Sequence, residues 1–152
     1  MCEENLRIPV LGNVDAGKST LIGTLQSSML DNGRGSSRAI VMRQRHETET
    51  GRTSTAHSHL VGLAEGGEIV TTTATRNDHE VARKARRLVT LFDLPGHESY
   101  LNTTIHGITK SVCDYALILV NAKQSPTEIT KRHLSICGAL GIPIVVVLTK
   151  VR

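Results

Sequence analysis

Short apolar runs separated by turn residues and amphipathic stretches recur along this chain. Residues 6–11 read as a strand running into Gly12, although Pro9 inside it lacks the N–H that a sheet ladder uses. Residues 17–30 read as a helix with Leu21, Ile22, Leu25 and Met29 near one face, ended by the turn chemistry of Asp31-Asn32-Gly33-Arg34-Gly35. Residues 36–57 are polar without a steady period, a long connection of the kind that is usually functional or disordered. Residues 59–63 and 68–72 flank Glu65-Gly66-Gly67 as a hairpin does, and residues 78–87 form a basic helical stretch. An apolar strand over 88–92 leads into Asp93, an irregular helix follows over 97–108, and residues 115–120 are again strand-like. Ser125-Pro126-Thr127-Glu128 has the capping-box spacing with proline at the first helical position. The helix it opens places Ile129, Ile136 and Leu140 inward and closes at Gly141 and Pro143. The aliphatic run 144–148 has the pattern of a strand buried on both faces.

Strands alternating with helices imply an α/β fold with a mainly parallel sheet and flanking helices, in which ligands bind at the carboxyl ends of the strands. A length of 152 residues suits one domain. Phe92, Tyr100 and Tyr115 are the only aromatics, so the core is aliphatic, which argues against a stacking platform for single-stranded nucleic acid. The net charge of +4 fits a phosphate-bearing partner without choosing one. Cys2, Cys113 and Cys137 form no CxxC pair, which points away from a zinc site or disulfide framework and towards a reduced cytoplasmic setting. No apolar run reaches the roughly 18 residues of a membrane span, and the acidic, polar start does not resemble a signal peptide.

Two motifs fall at strand ends. Gly12-Asn13-Val14-Asp15-Ala16-Gly17-Lys18-Ser19 matches GxxxxGK[ST] between a predicted strand and a predicted helix. Small residues there let successive backbone N–H groups wrap phosphates, and the helix N-terminus favours negative charge. Lys18 reaches the β- and γ-phosphates in such a loop, and the Ser19 hydroxyl ligates Mg²⁺. Asp93-Leu94-Pro95-Gly96-His97 follows the 88–92 strand; Asp93 can hold Mg²⁺ through a water, and Gly96 can bring its N–H to the γ-phosphate. A nucleotide switch also needs a hydroxyl that grips and releases the metal. The 36–57 loop offers Thr48, Thr50, Thr53 and Thr55, among which composition does not choose.

Residues 12–20 resemble the phosphate loop of translation-factor GTPases such as elongation factor Tu, and Asp93-Leu94-Pro95-Gly96-His97 resembles their DxPGH signature. Leu30-Asp31-Asn32-Gly33-Arg34-Gly35, Arg45-His46-Glu47, Thr50-Gly51-Arg52-Thr53-Ser54 and Tyr100-Leu101-Asn102-Thr103-Thr104 are similar to the GTP-binding protein 1 and 2 subgroup. The resemblance implies a P-loop G domain that binds GTP/GDP with Mg²⁺ and hydrolyses GTP, with a first switch over about 31–58 and the ribosome or other RNA-containing machinery as partner. It implies nucleotide contacts from Asn13, Val14, Asp15, Ala16, Gly17, Lys18, Ser19, Thr20 and Gly96, and base contacts from Thr149 and Lys150. It makes Ser19, Thr53 and Asp93 the magnesium residues, His97 the residue that orients the attacking water, and Asp15 a neighbour of the β–γ bridge with a monovalent cation. Arg152 stands where the family has the aspartate that accepts from guanine, so selectivity for GTP over ATP is expected to fall. The expectation is a partial, C-terminally truncated G domain over 1–152, without its last strand and helices or the β-barrel domains that follow in the family, which would cost the 144–148 strand its cover and leave it a sticky edge. A phosphate-binding fragment or interaction module without GTPase activity is the alternative. The basic stretch Ala82-Arg83-Lys84-Ala85-Arg86-Arg87 reads as a solvated helix face in preference to an RNA contact.

Overall fold

The computed structural model describes residues 4–27, 29–42, 50, 53–71 and 77–151. The elements in chain order are β1 (Glu4–Gly12), α1 (Lys18–Ser27), α2 (Ser36–Val41), β2 (His57–Leu63), β3 (Ile69–Thr71), α3 (Asp78–Lys84) and β4 (Arg87–Asp93). A 3₁₀ turn (Glu98–Tyr100) leads into α4 (Leu101–Lys110), followed by β5 (Ala116–Asn121), α5 (Glu128–Ala139) and β6 (Ile144–Thr149). One sheet runs β3-β2-β4-β1-β5-β6. The strands β4, β1, β5 and β6 are parallel, and the β2–β3 hairpin adds antiparallel to β4. This is the α/β architecture that the alternation of elements predicts.

The sheet is covered on both faces because neighbouring strand residues point opposite ways. Val10 and Leu119 enter a cluster with Ile22 and Val41 from α1 and α2. Their chain neighbours Leu11 and Ile118 enter a second cluster with Ile108 of α4 and Cys137 of α5. Pro9 is tolerated in central β1 for a local reason. Arg7 directs both backbone groups at Asp114, ahead of β5, through its carbonyl and its N–H. Pro9, two residues on, faces the same side, and the ladder with β5 begins only at Val10. The missing donor therefore falls at the foot of the β5 ladder and leaves the pairing with β4 intact.

Four sequence expectations are corrected. The first helix stops at Ser27, whose hydroxyl donates to the Gly23 carbonyl and accepts from the Met29 N–H; Met29 and Leu30 are exposed and pack on no face. The polar loop contains a helix, α2. Its leading residue, Gly35, has a φ of 86° and gives no side-chain cap, and the carboxylate of Asp31 takes that role. Asp31 accepts from the N–H groups of Ser37 at 2.9 Å and Gly33 at 2.9 Å. The capping box is not formed: Thr127 is the extended residue that precedes α5, and its carbonyl receives the first helical bond, from Lys131. That start turns Thr130, His133 and Cys137 inward along with Ile129, while Leu140 is exposed. Finally, β6 lacks the cover on both faces that its aliphatic pattern suggests and is instead the uncovered edge expected of a truncated domain: among the described residues it pairs with β5 alone, and Val145, Val146 and Leu148 are exposed.

Glycine at position 23 lets α2 sit directly on α1, since a Cβ there would overlap the Ser37 carbonyl. Gly23→Ala should therefore destabilise the fold by about 1–3 kcal/mol in chemical denaturation, although glycine-to-alanine in a helix usually gains up to about 1 kcal/mol; a stabilised variant would contradict the packing. The amide bonds to Asp31, led by that from Ser37, hold its carboxyl below the ordinary 3.8. A depressed folded-state pKa contributes stability that is whole above the ordinary value and is lost as pH falls through the folded-state one. Asp31→Asn should melt below the parent chain at neutral pH, and the gap should close under acid.

Candidate functional site

The phosphate-loop motif bridges the end of β1 and the start of α1. Gly12, with φ 143°, passes so close to β5 that a Cβ would lie 2.5 Å from the Leu119 carbonyl. Asp15 adopts a left-handed backbone (φ 59°), a conformation aspartate accepts more readily than most residues. Within the loop, Asn13 accepts from the Val14 N–H through its side chain and from the Ala16 N–H through its carbonyl. The Lys18 ammonium is buried and donates to the carbonyls of Gly12 at 3.1 Å and Asn13 at 3.0 Å. Burial lowers its pKa to about 8, against the opposing pull of Asp93 and Asp15. At neutral pH it keeps its charge.

Three oxygens from distant parts of the chain meet one residue on. Ser19 Oγ donates to Asp93 Oδ2 at 2.7 Å and lies 2.9 Å from Thr53 Oγ1, which itself donates to Asp93 Oδ2 at 3.4 Å. Asp93 is buried, and burial raises its pKa against the stabilising bonds from Ser19 and Thr53 and the charge of Lys18. Its second oxygen, Oδ1, is buried without a hydrogen-bond partner among the described residues. Two hydroxyls and a carboxylate with a spare oxygen are a hard-oxygen set of the type Mg²⁺ takes. Of the four loop threonines, Thr53 joins this group, Thr50 lines the cavity beside it, Thr55 bonds His57 at 2.9 Å, and Thr48 lies outside the described residues.

The turn after β4 closes the other side. A Cβ on Gly96 would fall on Lys18 Nζ and 2.7 Å from the Gly12 carbonyl, so the two motifs are in contact. His97 is exposed; its Nδ1 accepts from the Ser99 N–H at 3.2 Å and its ring meets Tyr100 edge-on at 6.2 Å. Between these walls lies a cavity of about 490 Å³. Val14, Asp15, Gly17, Lys18, Ser19 and Thr20 form its floor, with Gly96 and His97 opposite. Arg38 and Met42 complete the wall, residues with no motif to announce them; only the packing of α2 on α1 brings them there. Thr149 braces the site from behind, because its hydroxyl donates to the Ala16 carbonyl at 2.8 Å and ties β6 to the phosphate loop. Lys150 is exposed with φ 55°, and Arg152 lies outside the described residues. His133 is buried in α5 with both ring nitrogens unpartnered among the described residues, and burial, aided by Lys18, lowers its pKa to about 4, so it is neutral core.

Comparison with known proteins bears on the family and the fold. Residues 3–151 match the model of the elongation factor Tu GTP binding domain. The chain is 42% identical over 147 residues to GTP-binding protein 2 of Homo sapiens, covering 97% of this chain and 24% of that protein. It is 39% identical over 150 residues to GTP-binding protein 1 of Xenopus laevis, covering 96% and 23%. It thus spans about a quarter of the length of these curated relatives. Among solved structures, translation elongation factor SelB of Methanococcus maripaludis, in complex with the GTP analogue GppNHp, shares the fold at a TM-score of 0.64 and 23% identity, covering 99% of this chain and 23% of its own. Among the described residues no helix is long and apolar enough to cross a membrane. The chain belongs to the elongation factor Tu GTP-binding domain family and is a GTP-binding domain related to the translation GTPases.

Proposed function

We propose that this chain binds GTP with Mg²⁺, hydrolyses it to GDP and phosphate, and switches conformation between the two states. The observation that carries the proposal is the meeting of Ser19, Thr53 and Asp93 within hydrogen-bond distance, beside a buried lysine and a glycine that keeps the space open. Ser19 and Thr53 would hold Mg²⁺ directly and Asp93 through a water; the ion, when bound, neutralises charge building on the phosphate oxygens. The amides of residues 13–20 cradle the phosphates, Lys18 reaches the β- and γ-groups, and the Gly96 N–H meets the γ-phosphate. Asp15, which lines the same cavity, would face the β–γ bridge and help to hold a monovalent cation there. Thr149 and Lys150 border the base.

Since His97 Nδ1 accepts from Ser99, a neutral ring carries its proton on Nε2. His97 therefore orients a water beside the γ-phosphate as a donor and does not take its proton. Release of the γ-phosphate frees Thr53, and with it the first switch over about 31–58, which couples hydrolysis to a large partner. The resemblance to translation-factor GTPases makes the ribosome or another RNA-containing assembly in the cytoplasm the partner to test first. Residues 1–152 are assigned as the phosphate-binding part of a G domain.

Titration with a fluorescent GTP analogue should give saturable binding that weakens when Mg²⁺ is removed, and Lys18→Ala should abolish it. A parent chain with no saturable binding below millimolar would favour a mute interaction module. His97→Ala should slow hydrolysis about a hundredfold in single turnover while nucleotide affinity holds; unchanged hydrolysis would remove His97 from its role. An aspartate accepting from guanine is worth about 1.5–3 kcal/mol. Arg152→Asp should thus raise the preference for GTP over ATP by about one to two decades in competition, and equal potency of both nucleotides in both chains would defeat the guanine assignment.

A further inference from the structure

Among the cavity-lining residues, Arg38 has as yet no role. It is half-buried, faces the same hollow as Lys18, Ser19 and Thr20, and makes no ion pair with a described carboxylate. Three features fix it there. Asp31 gathers the amides that begin α2, one residue before Arg38. Gly23 allows Ser37, its neighbour, to rest on α1, whose first turn carries Ser19 and Thr20. The guanidinium packs over Gly35, where a Cβ would lie 2.5 Å from Nε and 3.0 Å from Cζ. Gly35 itself is demanded by its left-handed φ of 86°, and its lack of a side chain leaves the guanidinium room beside the cavity.

The electrostatics of the hollow give this position a use. Its charged walls are Asp15, Lys18 and Arg38, while a nucleoside triphosphate brings several negative charges. A planar guanidinium donates two parallel hydrogen bonds to phosphate oxygens, a geometry that an ammonium does not match. We propose that Arg38 is a nucleotide-binding residue that donates to the phosphate chain from the α2 side. The contact makes α2, and so the start of the first switch, answer directly to nucleotide occupancy, in addition to the grip exerted through Thr53. This rests on the nucleotide site argued above.

The test is affinity for a fluorescent GTP analogue with Mg²⁺, measured on the parent chain, Arg38→Gln and Arg38→Lys across a salt series. Arg38→Gln should bind about tenfold more weakly. Arg38→Lys should recover part of the loss, and the gap should narrow as salt screens the charge. Melting midpoints should stay together, since the side chain spans no core contact. A parent chain that binds while Arg38→Gln binds equally well overturns this assignment alone. Equal weakening in both variants, with lowered melting and no salt dependence, overturns it in favour of a purely structural arginine. A parent chain that does not bind at all overturns the nucleotide site and this proposal with it.

Discussion

The buried ammonium of Lys18 is the constraint around which the carboxyl edge of the sheet is organised. A lysine out of water must be satisfied, and two carbonyls of its own loop do this, from Gly12 and Asn13. Holding those carbonyls in place requires Gly12 to lie against Leu119 and Thr149 to brace the loop at Ala16. Leaving the ammonium accessible to a ligand requires the turn after β4 to carry no side chain at Gly96. Four separate segments are thus set by one charge.

A second charge balances it. Asp93 is buried like Lys18, and its carboxylate accepts from two hydroxyls on one oxygen while the other has no hydrogen-bond partner among the described residues. An unpaired buried carboxylate oxygen is costly in free energy unless something arrives to satisfy it. An arriving cation would satisfy that oxygen, beside a hydroxyl that comes from the long polar loop, Thr53. The turn after β4 is also tied across to α5 by the ion pair of Glu98 with Arg132. This pair is exposed and adds little stability, but it links the residues next to His97 to the helix behind them.

Most elements were legible because their signals are local. The β2–β3 hairpin follows from Glu65-Gly66-Gly67, and β4 and β5 from their apolar runs. Misreadings came where a distant group overrode local chemistry. The start of α2 is invisible without the reach of Asp31 over six residues to Ser37. The capping box at Ser125 was a sound pattern whose register lost to Thr127. The run 144–148 has the composition of a covered strand, yet composition does not say which neighbours a strand has.

From the sequence by itself came the α/β class, the two motifs at strand ends and the chemistry each can perform, because spacing along a chain determines backbone shape over a few residues. Composition left four threonines of the long loop open and the family resemblance named Thr53; only the tertiary structure shows its hydroxyl beside Ser19 and Asp93. The same holds for Arg38 facing the cavity, Leu140 turned to water and His133 buried. Those outcomes depend on contacts between residues tens of positions apart, where packing and burial, not local propensity, determine the energy.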